Sequence, residues 1–256
     1  MRWRLLATPP LGAADNMAYD EALLRRAAAS GEAVFRVYGW SEPALSLGRN
    51  QPARDDYDEV ALRSRGIDVV RRLTGGRAVL HHREVTYSVA APDAFGGTLR
   101  ESYRRINELL VHGLRALGAD ASIAASNGRS PVPSTAPCFE EPTAGELVLG
   151  SRKLVGSAQY REGGALLQHG SILIEDDQVL VTSLQRTPVA ASPPAATLHD
   201  AVGRAPTIDE VAAALFDAVR ELEDDGAAPL APDRAISDAV RAAAQRYRDP
   251  AWTWRR

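Results

Sequence analysis

The sequence lacks the features that are typical of disulfide-rich, zinc-binding, membrane-spanning and secreted proteins. Its 256 residues include a single cysteine, Cys138, which excludes an internal disulfide framework. No spacing of cysteine and histidine resembles a structural zinc site. No apolar run approaches the roughly 20 residues of a membrane span, and the apolar segment near the N-terminus is too short for the core of a signal peptide. We therefore expect a cytoplasmic protein that binds no membrane and needs no metal.

A strong charge of either sign is also missing. Lysine and arginine number 30 against 33 aspartate and glutamate, which gives a formal net charge of -3. No overall field therefore favours nucleic acid or an anionic membrane. Hydrophobic residues make up 45% and charged residues 25%, ordinary values that disfavour disordered, collagen-like and coiled-coil classes. We expect a folded, soluble protein that meets any anionic ligand with local groups.

Strand and helix patterns are mixed along the chain, which predicts an α+β fold. Strands are predicted at 33–38, 43–48, 67–72, 146–149, 152–161 and 165–174. Helices are predicted at 16–29, capped by Asp15 or Asn16, at 101–117, and in two closing segments that begin near Thr207 and Ile236. No repeat or shift of composition marks a boundary. We therefore expect one domain over 1–256, with a core at about 16–175 and a helical extension at about 205–256.

The stretch VVRRLTGGRAVLHHREVTYSV, residues 69–89, concentrates arginine and glycine between two predicted strands. Adjacent glycines let backbone amides converge on a ligand, and Arg71, Arg72 and Arg77 can pair with phosphate or carboxylate. An ordinary β-hairpin with solvated arginines explains the pattern equally well. The stretch matches neither the dinucleotide-binding glycine pattern nor the P-loop.

Cys138 lies in a predicted irregular segment, 126–142, which contains four prolines. A free cysteine is usually a small buried hydrophobe, but a thiol carried on a loop is also a plausible nucleophile. Such a thiol needs a neighbouring cation to favour its thiolate. Lys153 is the candidate, although a solvated lysine after a turn is the commoner fate.

Histidines in predicted strands offer further possibilities. His169 could pair with Cys138 as in cysteine proteases, and His81, His82 and His169 could together bind a metal ion. Neither set has a diagnostic spacing, so both hypotheses stay open.

The chain resembles the biotin and lipoate protein ligase superfamily in five ordered segments within residues 16–175. These are NMAYDEALL, VYGWSEPALSLGRNQ, VVRRLTGGRAVLHHREVTYSV, PCFEEPTAGELVLGSRKLVGSAQ and GALLQHGSILI. It is most similar to octanoyltransferases of the LipM type, which carry octanoyl from acyl carrier protein to a lysine of a lipoyl domain. The resemblance implies an α+β catalytic domain whose mixed, mostly antiparallel sheet is flanked by helices. The acyl chain would occupy a tunnel that the RRxTGGRAV loop closes on one side.

The resemblance also implies residue roles. The cysteine before FExP, here Cys138, would be the acyl-thioester nucleophile, and Lys153 would lie near it and lower the pKa of its thiol. The implied substrate-binding residues are Arg71, Arg72, Gly75, Gly76, Arg77, Ala78, His81, Gly156, Ser157, Ala158 and His169. No cofactor or metal is implied, because the acyl group arrives on the phosphopantetheine of acyl carrier protein. A monomer is expected, with an acceptor such as the glycine cleavage H protein, and the arginine cluster is expected to steer these acidic partners.

Related activities compete with octanoyl transfer. Lipoate ligases use ATP and typically carry GGGAV, whereas Arg77 replaces the third glycine here; this difference, Cys138 and the short C-terminal part favour transfer from a preformed thioester. An octanoyl amidotransferase acting between lipoyl domains is a second possibility, and a non-catalytic lipoyl-domain binder is a third. His82 stands where relatives commonly have aspartate. Its presence argues against ligation if that aspartate helps to bind an adenylate, and against full activity if it positions the transfer site.

Overall fold

Two β-sheets form the framework. The computed structural model describes residues 1–125, 139, 145–187 and 193–255. The strands in these ranges are β1 (Trp3–Ala7), β2 (Ala33–Tyr38), β3 (Ala44–Leu47), β4 (Asp68–Arg71), β5 (Val79–His81), β6 (Glu84–Pro92), β7 (Ala121–Ile123), β8 (Leu147–Leu149), β9 (Arg152–Glu162), β10 (Ala165–Leu173) and β11 (Ala228–Pro229). The large sheet has the order β11-β1-β2-β6-β10-β9-β8-β7, and the small sheet has the order β4-β3-β5.

The large sheet is mixed and mostly antiparallel, as predicted. Strand β1 pairs in parallel with β2 and β11, and the other neighbours in this sheet are antiparallel. Glycines with positive φ occupy the turns on either side of β9, Gly150 at 61° and Gly163 at 62°. The prediction of three consecutive strands between residues 146 and 174 is therefore confirmed.

Helices cover both faces of the large sheet. They are α1 (Ala13–Ser30), α2 (Glu59–Ser64), α3 (Leu99–Ala116), α4 (Val179–Ser183), α5 (Leu198–Val202), α6 (Ile208–Leu222), α7 (Arg234–Arg248) and α8 (Pro250–Thr253), with a 3₁₀ turn at Asp93–Phe95. Capping boxes begin α3 at Thr98 and α6 at Thr207, so the predicted helices there are confirmed. Among the residues described, no helix combines the length and the apolar character needed to cross a membrane.

Side chains alternate between two cores along the central strands. In β2, Phe35 packs with Ile106 of α3 and Leu215 of α6, whereas its neighbour Val34 belongs to the core that holds α1 and α7. This alternation follows from the two-residue period of a strand. The large sheet is consequently buried on both faces, and its central strands support the site residues described in the next subsection.

The segment 69–89 is not a hairpin. β4 and β5 do not pair with each other, because β3 lies between them: Leu45 of β3 is in register with Val69 on one side and Leu80 on the other. All four residues of β3 are buried, so both of its edges need hydrogen-bonding partners. The TGGRAV loop therefore reverses the direction of the chain but also carries it past β3, so that β4 and β5 lie on opposite edges of that strand.

The start of α1 also differs from the prediction. The helix begins at Ala13 with Gly12 as its N-cap, and neither Asp15 nor Asn16 caps it. The Asn16 side chain instead donates hydrogen bonds to the carbonyl oxygens of Leu11 and Gly39. The predicted end is confirmed, since Gly31 terminates the helix with φ of 71°.

A candidate active site between the two sheets

A partly open cavity lies between the small sheet and the large one. Its walls include Ser46 of β3, Thr86 of β6 and Gly170 of β10, and Met17 of α1 reaches it from the helical layer. The lining also contains many of the residues to which the resemblance gives substrate contacts: Arg72, Gly76, His81, Gly156, Ser157, Ala158 and His169. The remaining predicted binding residues, Arg71, Gly75, Arg77 and Ala78, are not among the lining residues.

The TGGRAV loop closes one side of the cavity through its backbone. Gly76 has φ of 90°, and a Cβ atom on Gly48 would lie 1.9 Å from the carbonyl oxygen of Gly76. Only glycine fits such an approach of two backbones. Arg72 donates hydrogen bonds to the carbonyl oxygens of Gly75 at 2.8 Å and Arg77 at 2.7 Å. Arg72 therefore fixes the shape of the loop as well as lining the cavity.

Arg71 has a different environment. Its guanidinium donates to the carbonyl oxygens of Gly48, Gln51 and Thr253 at 2.6 to 2.8 Å. Arg71 is 0% exposed and Arg72 is 5% exposed. These two arginines are therefore not surface charges, and the steering of acidic partners by the arginine cluster stays a prediction.

A buried carboxylate, Asp20 of α1, holds one group of polar side chains behind the cavity. It accepts hydrogen bonds from Arg36 at 2.9 Å, Tyr38 at 3.0 Å, Ser88 at 2.8 Å and His169 Nδ1 at 2.9 Å. Burial alone would raise the pKa of Asp20, but the bond to His169 and the charge of Arg36 outweigh burial and keep that pKa below its ordinary value. Asp20 is therefore ionised at neutral pH and orients the His169 ring.

A second buried carboxylate, Glu84 of β6, organises the opposite group. It accepts from Thr86 Oγ1 at 2.6 Å and Ser171 Oγ at 2.7 Å, and its Oε1 lies 3.2 Å from His81 Nδ1. The second ring nitrogen of His81 lies 2.8 Å from Ser46 Oγ, and Trp40 stacks on the imidazole with 4.0 Å between ring centroids. Burial lowers the pKa of His81, so this imidazole is neutral at neutral pH.

Lys153 is buried at the start of β9, so the interpretation of a solvated lysine is wrong. It is 3% exposed. Its Nζ donates to Glu146 Oε1 at 2.6 Å and lies 5.2 Å from the centre of the Phe139 ring. Phe139 packs in turn against Val79, which lines the cavity. Cys138 and most of its predicted loop lie outside the described residues, but the residue that follows Cys138 in the chain contacts Lys153.

The three strand histidines do not come together. His81 and His169 both line the cavity, whereas His82 is about half exposed and its Nδ1 lies 2.9 Å from Asp177 Oδ2. Within the described ranges, no group of three or more histidine, cysteine, aspartate or glutamate side chains is placed to hold a metal ion.

Sequence reasoning missed both carboxylates, although each left a signal. Asp20 interrupts an apolar helical stripe with Met17, Leu24 and Ala27, and a charge in such a stripe indicates a buried partner. Glu84 shares one face of β6 with Thr86 and Ser88, while the alternate residues are apolar. A polar face on a strand that is otherwise buried is typical of a strand that borders a binding site.

Comparison with known proteins identifies the family of the chain. The family model of the lipoyl protein ligase A/B catalytic domain matches residues 12–220. The chain belongs to this family. The matched range holds Asp20, Glu84, Lys153 and the cavity walls, and it ends before α7. The resemblance drawn from the sequence motifs is therefore confirmed.

Individual known proteins are similar to the chain over most or all of its length. Octanoyltransferase LipM of Kyrpidia tusciae is 48% identical over 195 residues, covering 73% of this chain and 71% of that protein. Octanoyltransferase LipM of an Exiguobacterium species is 38% identical over 272 residues, covering 99% of this chain and 98% of that protein. A crystal structure of lipoate-protein ligase A bound with ATP is 25% identical with a TM-score of 0.80 and covers 99% of both chains. The predicted fold is confirmed.

Proposed function

We propose that the protein is an octanoyltransferase of lipoate biosynthesis, which moves octanoyl from acyl carrier protein to a lysine of a lipoyl domain. The observation that carries the proposal is the 38% identity to octanoyltransferase LipM along nearly the whole of both chains. The cavity between the sheets supports it, because a pocket with a mostly buried wall suits an acyl group.

In the proposed first step, the Cys138 thiolate attacks the carbonyl carbon of the octanoyl thioester. The new C–S bond forms as the bond to phosphopantetheine sulfur breaks, and the pantetheine sulfur leaves as a thiolate that takes up the proton lost by the Cys138 thiol. In the second step, the amine of the acceptor lysine attacks the Cys138 thioester. The amide forms, the amine gives up a proton and the Cys138 thiolate is released. Thioester to amide is downhill, so the reaction consumes no ATP.

Lys153 is the group proposed to favour the thiolate, since a nearby cation stabilises that form of a cysteine. Its support is the contact of Lys153 with Phe139, which is bonded directly to Cys138 in the chain. Glu146 holds the ammonium through the 2.6 Å hydrogen bond, so the cation has a defined position inside the protein. This carboxylate is an addition to the pair predicted from the motifs.

Intact-protein mass spectrometry tests the nucleophile. Incubation with octanoyl acyl carrier protein should add one octanoyl group to the wild-type protein, and a lipoyl domain should then remove it. The Cys138→Ala variant should acquire no adduct, because it lacks the thiolate. An adduct of equal yield on Cys138→Ala would overturn the assignment of Cys138.

An ATP-dependent lipoate ligase is the second candidate, favoured by the structural similarity to lipoate-protein ligase A bound with ATP. The two functions differ in their donor. A transferase modifies the lipoyl domain from octanoyl acyl carrier protein without ATP, whereas a ligase needs free octanoate together with ATP. An octanoylated lipoyl domain offered as the donor tests amidotransfer in the same assay. Modification from octanoate and ATP alone would replace the present proposal.

A further inference from the structure

The basic residues of the chain are arginines with a single exception. Among the 30 lysine and arginine residues, Lys153 is the only lysine. A guanidinium stays protonated in proteins, so an arginine side chain does not compete for an acyl group. Apart from the amine at the N-terminus, Lys153 therefore carries the only amine in the sequence that is able to accept an acyl group.

This lysine lies close to the proposed thioester. The acyl group would be bonded to Cys138, and Lys153 contacts Phe139, the next residue in the chain. A neutral Lys153 amine is able to attack such a thioester just as the acceptor lysine does. A C–N bond would form, the C–S bond would break, the nitrogen would lose a proton and the Cys138 thiolate would leave. The product is an amide, which the acceptor amine does not cleave, so the lysine would stay blocked.

Burial by itself would make this side reaction easier. Lys153 is 3% exposed, and removal from water favours the neutral amine over the charged ammonium. Only the neutral form has the lone pair that attacks a carbonyl carbon. A buried lysine beside a thioester therefore needs a partner that keeps it protonated.

Glu146 is such a partner. Lys153 Nζ donates to Glu146 Oε1 at 2.6 Å, and the glutamate is itself 7% exposed. An opposite charge at this distance favours the ammonium. Hydrogen bonds also fix the backbone beside this carboxylate: Ala124 N donates to the Glu146 carbonyl at 2.8 Å, and Asn107 Nδ2 donates to the Gly145 carbonyl at 2.6 Å. The carboxylate therefore has a defined place next to the ammonium.

We propose that Glu146 is a positioning residue that keeps Lys153 protonated and thereby prevents the enzyme from octanoylating itself. This inference rests on the proposed octanoyl transfer through Cys138. The ammonium favours the Cys138 thiolate, but it has no lone pair with which to attack the Cys138 thioester. The acyl group is therefore kept for the amine of the partner protein.

Mass spectrometry with and without hydroxylamine tests this role. The protein is incubated with octanoyl acyl carrier protein and no acceptor, and hydroxylamine then cleaves a thioester adduct but leaves an amide. In Glu146→Gln, the new side chain has nearly the same shape and still accepts a hydrogen bond, but it lacks the charge. We expect the resistant adduct to form roughly tenfold faster or more than in wild type, on the peptide that contains Lys153. The wild-type adduct should be removed by hydroxylamine.

Glu21→Gln is the matched control. Glu21 of α1 is also buried, at 3% exposure, and accepts hydrogen bonds from Arg246 and Tyr247 of α7. Its variant loses the same charge from a buried pair and should form only the adduct that hydroxylamine removes. A merely structural role of Glu146 would lower the yield of adduct in Glu146→Gln without changing its chemistry. An adduct in Glu146→Gln that hydroxylamine removes completely would therefore overturn the inference.

The wild-type protein decides the matter if Glu146→Gln does not fold or takes up no octanoyl group. Over a long incubation without acceptor, an amide on Lys153 that builds up in wild type as the thioester is lost would refute the protection, and its absence would support it. In each of these cases the wild-type thioester leaves octanoyl transfer in place. A wild-type protein that acquires no adduct would overturn the proposed function, and this inference with it.

Discussion

At the scale of single residues, the site depends on two carboxylates, Asp20 and Glu84, which lie within the quoted motifs but to which the resemblance gives no role. Cys138 and Lys153 follow from the resemblance, because their neighbours form short recognisable strings. Asp20 and Glu84 act on partners from distant parts of the chain: His169 is 149 positions from Asp20, and Ser171 is 87 positions from Glu84. The sequence shows that each carboxylate is out of place among apolar residues. The partner, however, depends on which strands become neighbours, and local patterns do not contain that information.

His81 should make the stability of the protein depend on pH in the mildly acidic range. Burial lowers the pKa of the folded His81 below the ordinary value of 6.5. The stability that the neutral, buried His81 contributes is fully present above pH 6.5. It is lost as pH falls from 6.5 to the lower pKa of the folded state, because in this range the unfolded chain binds a proton that the folded chain does not. We therefore expect the free energy of unfolding to fall from about pH 7.5 toward about pH 5 by a larger amount in wild type than in His81→Gln.

Urea unfolding at a series of pH values measures this difference. The remaining histidines are present in both proteins, so the difference between the two curves isolates His81. Parallel curves across the whole range would contradict the buried, neutral state of this imidazole.

At the scale of secondary-structure elements, short sequence patterns predicted the helices and turns whose formation depends on nearby residues. Capping boxes and apolar periodicity located α3 and α6, and glycine turns located β8 to β10. The same local signals favoured a hairpin for the TGGRAV segment, because a strand pattern lies on each side of it, and this interpretation is wrong. The pairing of β4 and β5 with β3 was decided by β3, a buried strand from residues 44–47 that needed a partner on each edge. Non-local competition for strand edges explains the error.

The contact between β3 and the loop should be very sensitive to Gly48. In Gly48→Ala, the new methyl group would overlap the Gly76 carbonyl, because the present distance to a Cβ is 1.9 Å. Loop and strand would have to separate, and we expect a loss of stability of several kcal/mol. Thermal unfolding measures it directly.

Gly75→Ala is a sharp control within the same loop. A Cβ at Gly75 meets nothing within 4 Å, and the residue is not among those with positive φ. Its Tm should stay close to that of wild type. Equal losses in the two variants would mean that the loop tolerates no side chain anywhere, rather than being held at one point.

At the scale of the whole molecule, the C-terminal part belongs to the site's support. The sequence predicted helices there and assigned them no chemistry. In the structure, Arg71 donates to the Thr253 carbonyl at 2.8 Å, and Trp252 Nε1 donates to the Arg71 carbonyl at 2.8 Å. Arg246 and Tyr247 of α7 bond Glu21 of α1, beside Asp20. The last helices therefore hold both the start of the TGGRAV loop and the helix that carries Asp20.

Removal of residues 249–256 should loosen the loop selectively. The deletion takes away the partners of Arg71 in α8 while α7 keeps its contacts with α1. We expect faster hydrogen–deuterium exchange of backbone amides in residues 72–77 and unchanged exchange in the interior of α3, which serves as the internal reference. Equal acceleration in both places would indicate global destabilisation instead.

The pairing of β1 with β11, a strand from much later in the chain, affects folding during synthesis. β1 is synthesised shortly before β2 and can pair with it soon afterwards. The second edge of β1 is paired by β11, and Trp3 N–H bonds the Asp224 carboxylate at 2.6 Å. During synthesis, that edge stays open for roughly 200 residues and can accept a strand from another nascent chain. The outer edge of β1 is therefore protected only after β11 has been synthesised, and until then a nascent chain can misassemble at this edge.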